Sequence, residues 1–91
     1  EINLPDNLEK INTYAFNECY NLTSITLPKN IKFIDHWAFN DTGLKSITLP
    51  YGIESIGRGN FDGLEAIYVD RREYDRYKDY FSSFAEIRIN D

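Results

Sequence analysis

One cysteine in 91 residues, Cys19, leaves the chain without an internal disulfide framework. The one histidine, His36, has only that lone thiol for company, so no Ser–His or Cys–His nucleophile is laid out. A transition metal needs three or four converging ligands, and no spacing here supplies them. No apolar run approaches the roughly 18 residues that cross a bilayer. Basic residues are scarcer than acidic ones, 10 against 15, for a net charge of −5. A surface that displaces counterions from phosphates needs clustered Lys and Arg, so nucleic acid is not an expected partner. Pro50-Tyr51-Gly52 and Gly57-Arg58-Gly59 are turn chemistry, since no Lys-Ser/Thr follows to make a phosphate loop. No catalytic, cofactor-binding or metal-binding residue is assigned.

What the chain has instead is a repeat of 20 to 23 residues. Ile2, Leu4, Pro5, Leu8, Ile11, Ala15, Phe16 and Leu22 return as Ile25, Leu27, Pro28, Ile31, Ile34, Ala38, Phe39 and Leu44. They return again as Ile47, Leu49, Pro50, Ile53, Ile56, Asn60, Phe61 and Leu64, and a fourth unit starts at Ile67-Tyr68-Val69. The units run 2–24, 25–46, 47–66 and 67–70. So short a unit cannot bury its own apolar side, and it must stack on its neighbours into a solenoid.

Within the middle unit, Ile25-Thr26-Leu27 alternates as a strand with one buried face, Ile25 and Leu27 inward, Ser24 and Thr26 outward. Pro28 ends it, having no N–H to donate. Ile31 and Ile34 return to the core on a second extended segment. Asp35 follows, with Asn12 and Gly57 in its column, and residues of those types predict a left-handed corner there. Ala38-Phe39 predicts a 3₁₀ turn or short helix, its ring filling the width of the coil. The gap from Phe to the returning Leu shrinks along the chain, which marks a surface loop.

From Asp70 the period breaks. Asp70-Arg71-Arg72-Glu73 has the form of a capping box, and Tyr74, Tyr77, Phe81 and Phe84 follow at helical spacing. Glu86-Ile87-Arg88-Ile89 reads as a last strand with Ile87 and Ile89 inward. Residues 71–91 are thus a C-terminal cap. Because a solenoid needs a polar cap at each end and the chain opens in mid-repeat, it is expected to be the C-terminal fragment of a longer protein.

The repeat resembles the BspA-type leucine-rich repeat, whose pattern is roughly L-x-x-L-x-L-P-x-x-I-x-x-I-x-x-x-A-F-x-x-C-x-x-L. Leu22 to Pro28 and Leu44 to Pro50 match its first half; Ala15-Phe16-Asn17-Glu18-Cys19-Tyr20-Asn21-Leu22 matches its second nearly letter for letter. Asn60 departs from the usual Ala. The resemblance implies a β-rich, right-handed leucine-rich-repeat solenoid with short parallel strands, one strand per coil, closed by a capping helix and final strand. It also implies an extracellular or cell-surface protein that adheres to host matrix or cell-surface proteins, without shared catalytic residues.

The residues best placed for a partner are exposed aromatics and a hydroxyl strip. Tyr14 and Trp37 share a column and should stack on one edge. Phe33, between the inward Ile31 and Ile34, should face out with them as an apolar ridge. On the strand face the outward columns are Asn3, Thr26, Thr48, Tyr68 and Ser24, Ser46, Ala66. The expected function is a non-catalytic protein-binding or adhesion module without cofactor; the alternative is a spacer or end-cap, with binding upstream. Cys19 and His36 read as structural and solvated, and the Asn21-Leu22-Thr23 and Asn40-Asp41-Thr42 glycosylation patterns as incidental. Ile2, Leu4, Leu8 and Ile11 lie against no preceding unit, which predicts weak end-to-end association of the fragment.

Overall fold

Apolar residues at alternating positions, ended by proline, build very short strands that pair only with their counterparts in the next repeat. The structure, a computed structural model, describes residues 2–81 and 85–90. Phe84 and the side chain of Ile2 lie outside what is described. Every ladder is parallel and joins equivalent letters of neighbouring repeats. β1 (Ile2–Asn3) pairs with β3 (Ile25–Thr26), Ile2 facing Ile25. β2 (Lys10–Ile11), β4 (Phe33–Ile34) and β6 (Ser55–Ile56) form a second ladder in which Ile11, Ile34 and Ile56 line up. β5 (Ser46–Thr48), β7 (Ala66–Val69) and β8 (Glu86–Ile89) form a third, aligning Ile47, Ile67 and Ile87. β3 lies beside β5 without ladder pairing.

Several of the sequence expectations need correcting. Each of the first three repeats carries two strands, not one, because the segment after the proline is itself extended and its N–H groups bond back to the preceding repeat. Lys32 and Phe33 donate to the Glu9 carbonyl, and Asp35 donates to Ile11. The left-handed corner, moreover, is not at Asn12, Asp35 and Gly57. It lies two residues on, at Tyr14, Trp37 and Gly59, and recurs at Glu18, Asp41 and Gly63. Gly57 is small for a different reason: a Cβ there would sit 2.5 Å from the His36 backbone nitrogen.

These positive-φ residues also replace the expected 3₁₀ turn by a chain of tight turns. In the first repeat alternate N–H groups stay local: Ala15 donates to Asn12, Asn17 to Tyr14, Cys19 to Phe16. The ones between point forward, Tyr14 to His36, Phe16 to Ala38 and Glu18 to Asn40. A continuous helix would have used all of them internally.

The forward bonds set the rings of Phe16 and Phe39 in parallel, 5.3 Å between centroids, with Phe61 6.2 Å beyond. Ile31, Ile34, Ile47, Leu49, Ile53, Ile67 and Val69 pack around this column as one buried core. Truncating one such ring removes about 3–5 kcal/mol, a large part of a small domain's stability.

The column does not stop at Phe61. Asp70 caps a 3₁₀ turn (Arg71–Glu73) that runs into α1 (Tyr74–Phe81), and Phe81 meets Phe61 edge-on at 5.6 Å. Tyr77, buried one turn earlier, stacks on Phe81. The capping box forms by half. The Asp70 carboxylate accepts from the Arg72 N–H at 2.8 Å, but Glu73 does not turn back to Asp70. It is buried and accepts from the Gly52 N–H and from Arg76, while Arg76 also reaches the Glu54 carbonyl. Side chains of the cap thus satisfy backbone groups that a further repeat would have met. Ile87 and Ile89 are half-buried, turned inward as the alternation requires.

Arg72 grips Asp70 through its side chain and its backbone N–H, holding that carboxyl at about 2, against an ordinary 3.8. The folded value lies below the unfolded one, so the contribution is complete above about pH 4 and fades as pH falls toward 2. Melting temperatures taken from pH 5 down to 2 should therefore drop less steeply for Asp70→Asn than for the parent chain.

Candidate functional site

The aromatic edge begins with backbone geometry. Left-handed φ costs an ordinary residue roughly 1–2 kcal/mol, yet Tyr14 (φ 62°) and Trp37 (φ 55°) both adopt it. It throws their side chains off the coil while their N–H groups bond forward, Tyr14 to the His36 carbonyl and Trp37 to that of Arg58. The two rings stack at 5.7 Å, 9° from parallel, with Tyr14 55% and Trp37 38% exposed. Imidazole packs against indole at 5.8 Å, and His36 Nδ1 accepts the Arg58 N–H at 2.8 Å. His36 is thus a structural acceptor as well as an exposed residue. In the third repeat the stack ends on backbone: a Cβ on Gly59 would lie 2.2 Å from Trp37 Cδ1.

Phe33 is outward and 38% exposed, between Lys10 and Ser55 on the β2–β4–β6 ladder. Among the described residues no ring stacks on it. The structure therefore joins Tyr14 with Trp37 and leaves Phe33 on its own strand. Tyr20 and Tyr51 are also exposed, at 64% and 51%. Neither was legible as such: Tyr20 sits in the variable loop, and Tyr51 is drawn under the Arg72 guanidinium, 3.8 Å above its ring. Glu18 beside Tyr20 holds its hydroxyl above the usual range.

On the strand face, Asn3 faces Thr26, and Thr48 faces Tyr68, which faces Arg88. Thr26 and Thr48 border a cleft of about 390 Å³ at the lapse between β3 and β5, together with Ile25, Leu27, Lys29 and Pro50. Tyr68 is half-buried because Arg88 lies over it and donates to its hydroxyl at 3.0 Å. Glu86 grips the same guanidinium at 2.7 Å, which raises Arg88 above its usual range and lowers Glu86. The charged end of the strip could have been read from the alternation in Glu86–Ile89, had the 20-residue register been carried into it. Ala66, expected outward, is buried: as the middle strand's smallest side chain it is covered between Ser46 and Glu86.

The remaining singled-out residues are structural. Cys19 is half-buried against the core. Among the described residues no three His, Cys, Asp or Glu converge as metal ligands. Asn40 Nδ2 donates to Asn17 Oδ1 at 3.0 Å, whereas Asn21 is exposed. Asn60, odd against the repeat, is buried and joins two coils: its Oδ1 accepts from the Phe39 N–H, and its Nδ2 donates to the Asp35 and Gly57 carbonyls. The amide does for Phe39 what the backbone carbonyl of Ala38 does for Phe16 one coil earlier.

A family model described as BspA type leucine rich repeat region (6 copies) matches residues 1–88. No curated protein and no solved structure shows a significant match.

Two glycines separate crowding from backbone strain. Gly63 (φ 89°) has open space around it, so Gly63→Ala should cost about 1–2 kcal/mol from strain alone. Gly59→Ala adds the collision with Trp37 and should cost clearly more in urea unfolding. Equal costs would mean that the indole does not rest on Gly59.

Proposed function

The chain belongs to the BspA-type leucine-rich repeat family, and from that footing we propose that it is a non-catalytic protein-binding module of a secreted or cell-surface protein. Its coils wind right-handedly into a solenoid, the hand that parallel crossovers take. The observation that carries the reading is the Tyr14–Trp37 stack, large and exposed, yet held in one conformation by forward hydrogen bonds and by Gly59. A pre-ordered aromatic surface loses little entropy when a partner lands on it. Rigid aromatics are the residues that dominate contact energies. Phe33 and the strip Thr26, Thr48, Tyr68 offer further contact area on the two ladder faces. The non-catalytic reading is supported by the structural duties of Cys19 and His36. Among the described residues no helix is long and apolar enough to cross a membrane.

The second reading, a spacer or end-cap, is favoured by α1 and β8, which cover the last coil. Tyr14→Ser with Trp37→Ser, and Phe33→Ser separately, distinguish the two. Loss of retention on host-matrix or cell extracts at an unchanged melting temperature is expected for the stacked pair. Unchanged retention, or no retention by the parent chain, supports the spacer.

In isolation the first coil presents Leu4, Leu8 and Phe16 only half-buried, whereas Ile11, expected with the first two, is covered at 3% exposure by its own coil and the next. Weak end-to-end association of the 91-residue chain belongs to the same proposal. Sedimentation should show a concentration-dependent mass, and a clean monomer at millimolar concentration would refute it.

A further inference from the structure

The cap meets the last coil unevenly. Along the second strand it supplies partners: Glu73 takes the Gly52 N–H and Arg76 donates to the Glu54 carbonyl. Along the Ala-Phe turn its described residues supply a ring, Phe81, and none of them accepts from the turn's N–H groups. None of the N–H groups from Gly59 to Gly63 has an acceptor among the described residues. In the first coil alternate N–H groups of these columns point forward to carbonyls of the next coil, Tyr14 to His36, Phe16 to Ala38 and Glu18 to Asn40, while Ala15 and Asn17 bond locally. In the second, Trp37 donates to the Arg58 carbonyl and Phe39 to Asn60 Oδ1. Gly59 and Gly63 keep the two left-handed positions of that turn.

The donors from Gly59 to Asp62 border a cleft of about 260 Å³ lined by Gly57 to Asp62 and by Phe81. Its floor is not open surface: Asn60 is 5% exposed and Phe61 2%. Buried N–H groups rarely stay without an acceptor, and successive N–H groups around left-handed glycines make a concavity that attracts negative oxygen. The rim decides which oxygen. Arg58 and Asp62 both line the cleft and offset each other, so a free anion would meet a carboxylate. A neutral carbonyl meets no such penalty.

We infer that the cleft between the third turn and Phe81 binds a short extended peptide of small side chains, whose alternate main-chain carbonyls accept from the Gly59 and Phe61 N–H groups. Phe81 already fills the aromatic column over Phe61, so the peptide can bring no large ring there. This is main-chain recognition of the kind by which peptides extend a ladder. The surface lies on the far side of Gly59 from the Tyr14–Trp37 stack, and its test does not depend on that stack binding anything.

The test is an amide-resolved NMR titration of the intact chain with acetyl-Gly-Ala-Gly-amide, with inorganic phosphate as a parallel probe. In the free protein the Phe61 amide should exchange with deuterium at least about tenfold faster than the Phe16 and Phe39 amides, which have acceptors. Millimolar peptide should shift the Gly59 and Phe61 amide signals saturably and slow the exchange of Phe61. Protection of Phe61 without peptide would overturn the inference, because the donor would already be satisfied. So would shifts confined to the first coil or the strand face, or a response to phosphate with none to peptide.

Discussion

The structure depends on one constraint: each coil must present its backbone to the next in register, because alternate N–H groups of the first two turns find their acceptors only there. Tyr14, Phe16 and Glu18 bond forward to His36, Ala38 and Asn40, and that ladder carries the phenyl rings into line. Backbone pairing and ring stacking enforce each other. A slip of one residue would break the forward bonds and take each phenyl ring out of the column. Where a coil departs from the pattern, a side chain restores the bond, as Asn60 does for Phe39 and Glu73 for Gly52.

The repeat frame was legible because stacking writes the same apolar letters at each return. Phe16, Phe39 and Phe61 could be placed in one column from spacing alone, and the column is there. The second strand was less legible: two-residue strands such as Lys10–Ile11 show no alternation of their own and exist through their neighbours' carbonyls. The left-handed positions were misplaced for a similar reason. Asn, Asp and Gly are the residues that tolerate positive φ best, yet Tyr14 and Trp37 hold it through stacking and forward bonds that no propensity encodes. The capping box failed at Glu73 because a tertiary partner, Gly52, competes with the local one.

The same contrast holds for the surfaces. Tyr14 and Trp37 could be paired from their shared column, whereas spacing alone sets Phe33 on one ridge with them, because it does not show that Phe33 sits on the strand before the turn begins. The Arg88–Glu86–Tyr68 cluster depends on a register across the cap, where the repeat letters give out. Rigidity comes from the coil and chemistry from what the coil leaves outside. Those exposed residues are the ones that pattern constrains least.

The offsets between paired strands do not stay constant. Ile2 faces Ile25 and Ile11 faces Ile34, 23 residues on; Ile34 faces Ile56 after 22; Ile47 faces Ile67 and Ile67 faces Ile87 after 20. The girth of the stack therefore narrows toward the helix, and the residues given up come from the loop after the phenylalanine. Such a taper makes the order of the units irreversible. The wide first coil and the slim third one are not interchangeable parts, since a two-residue return could not circle the broader end.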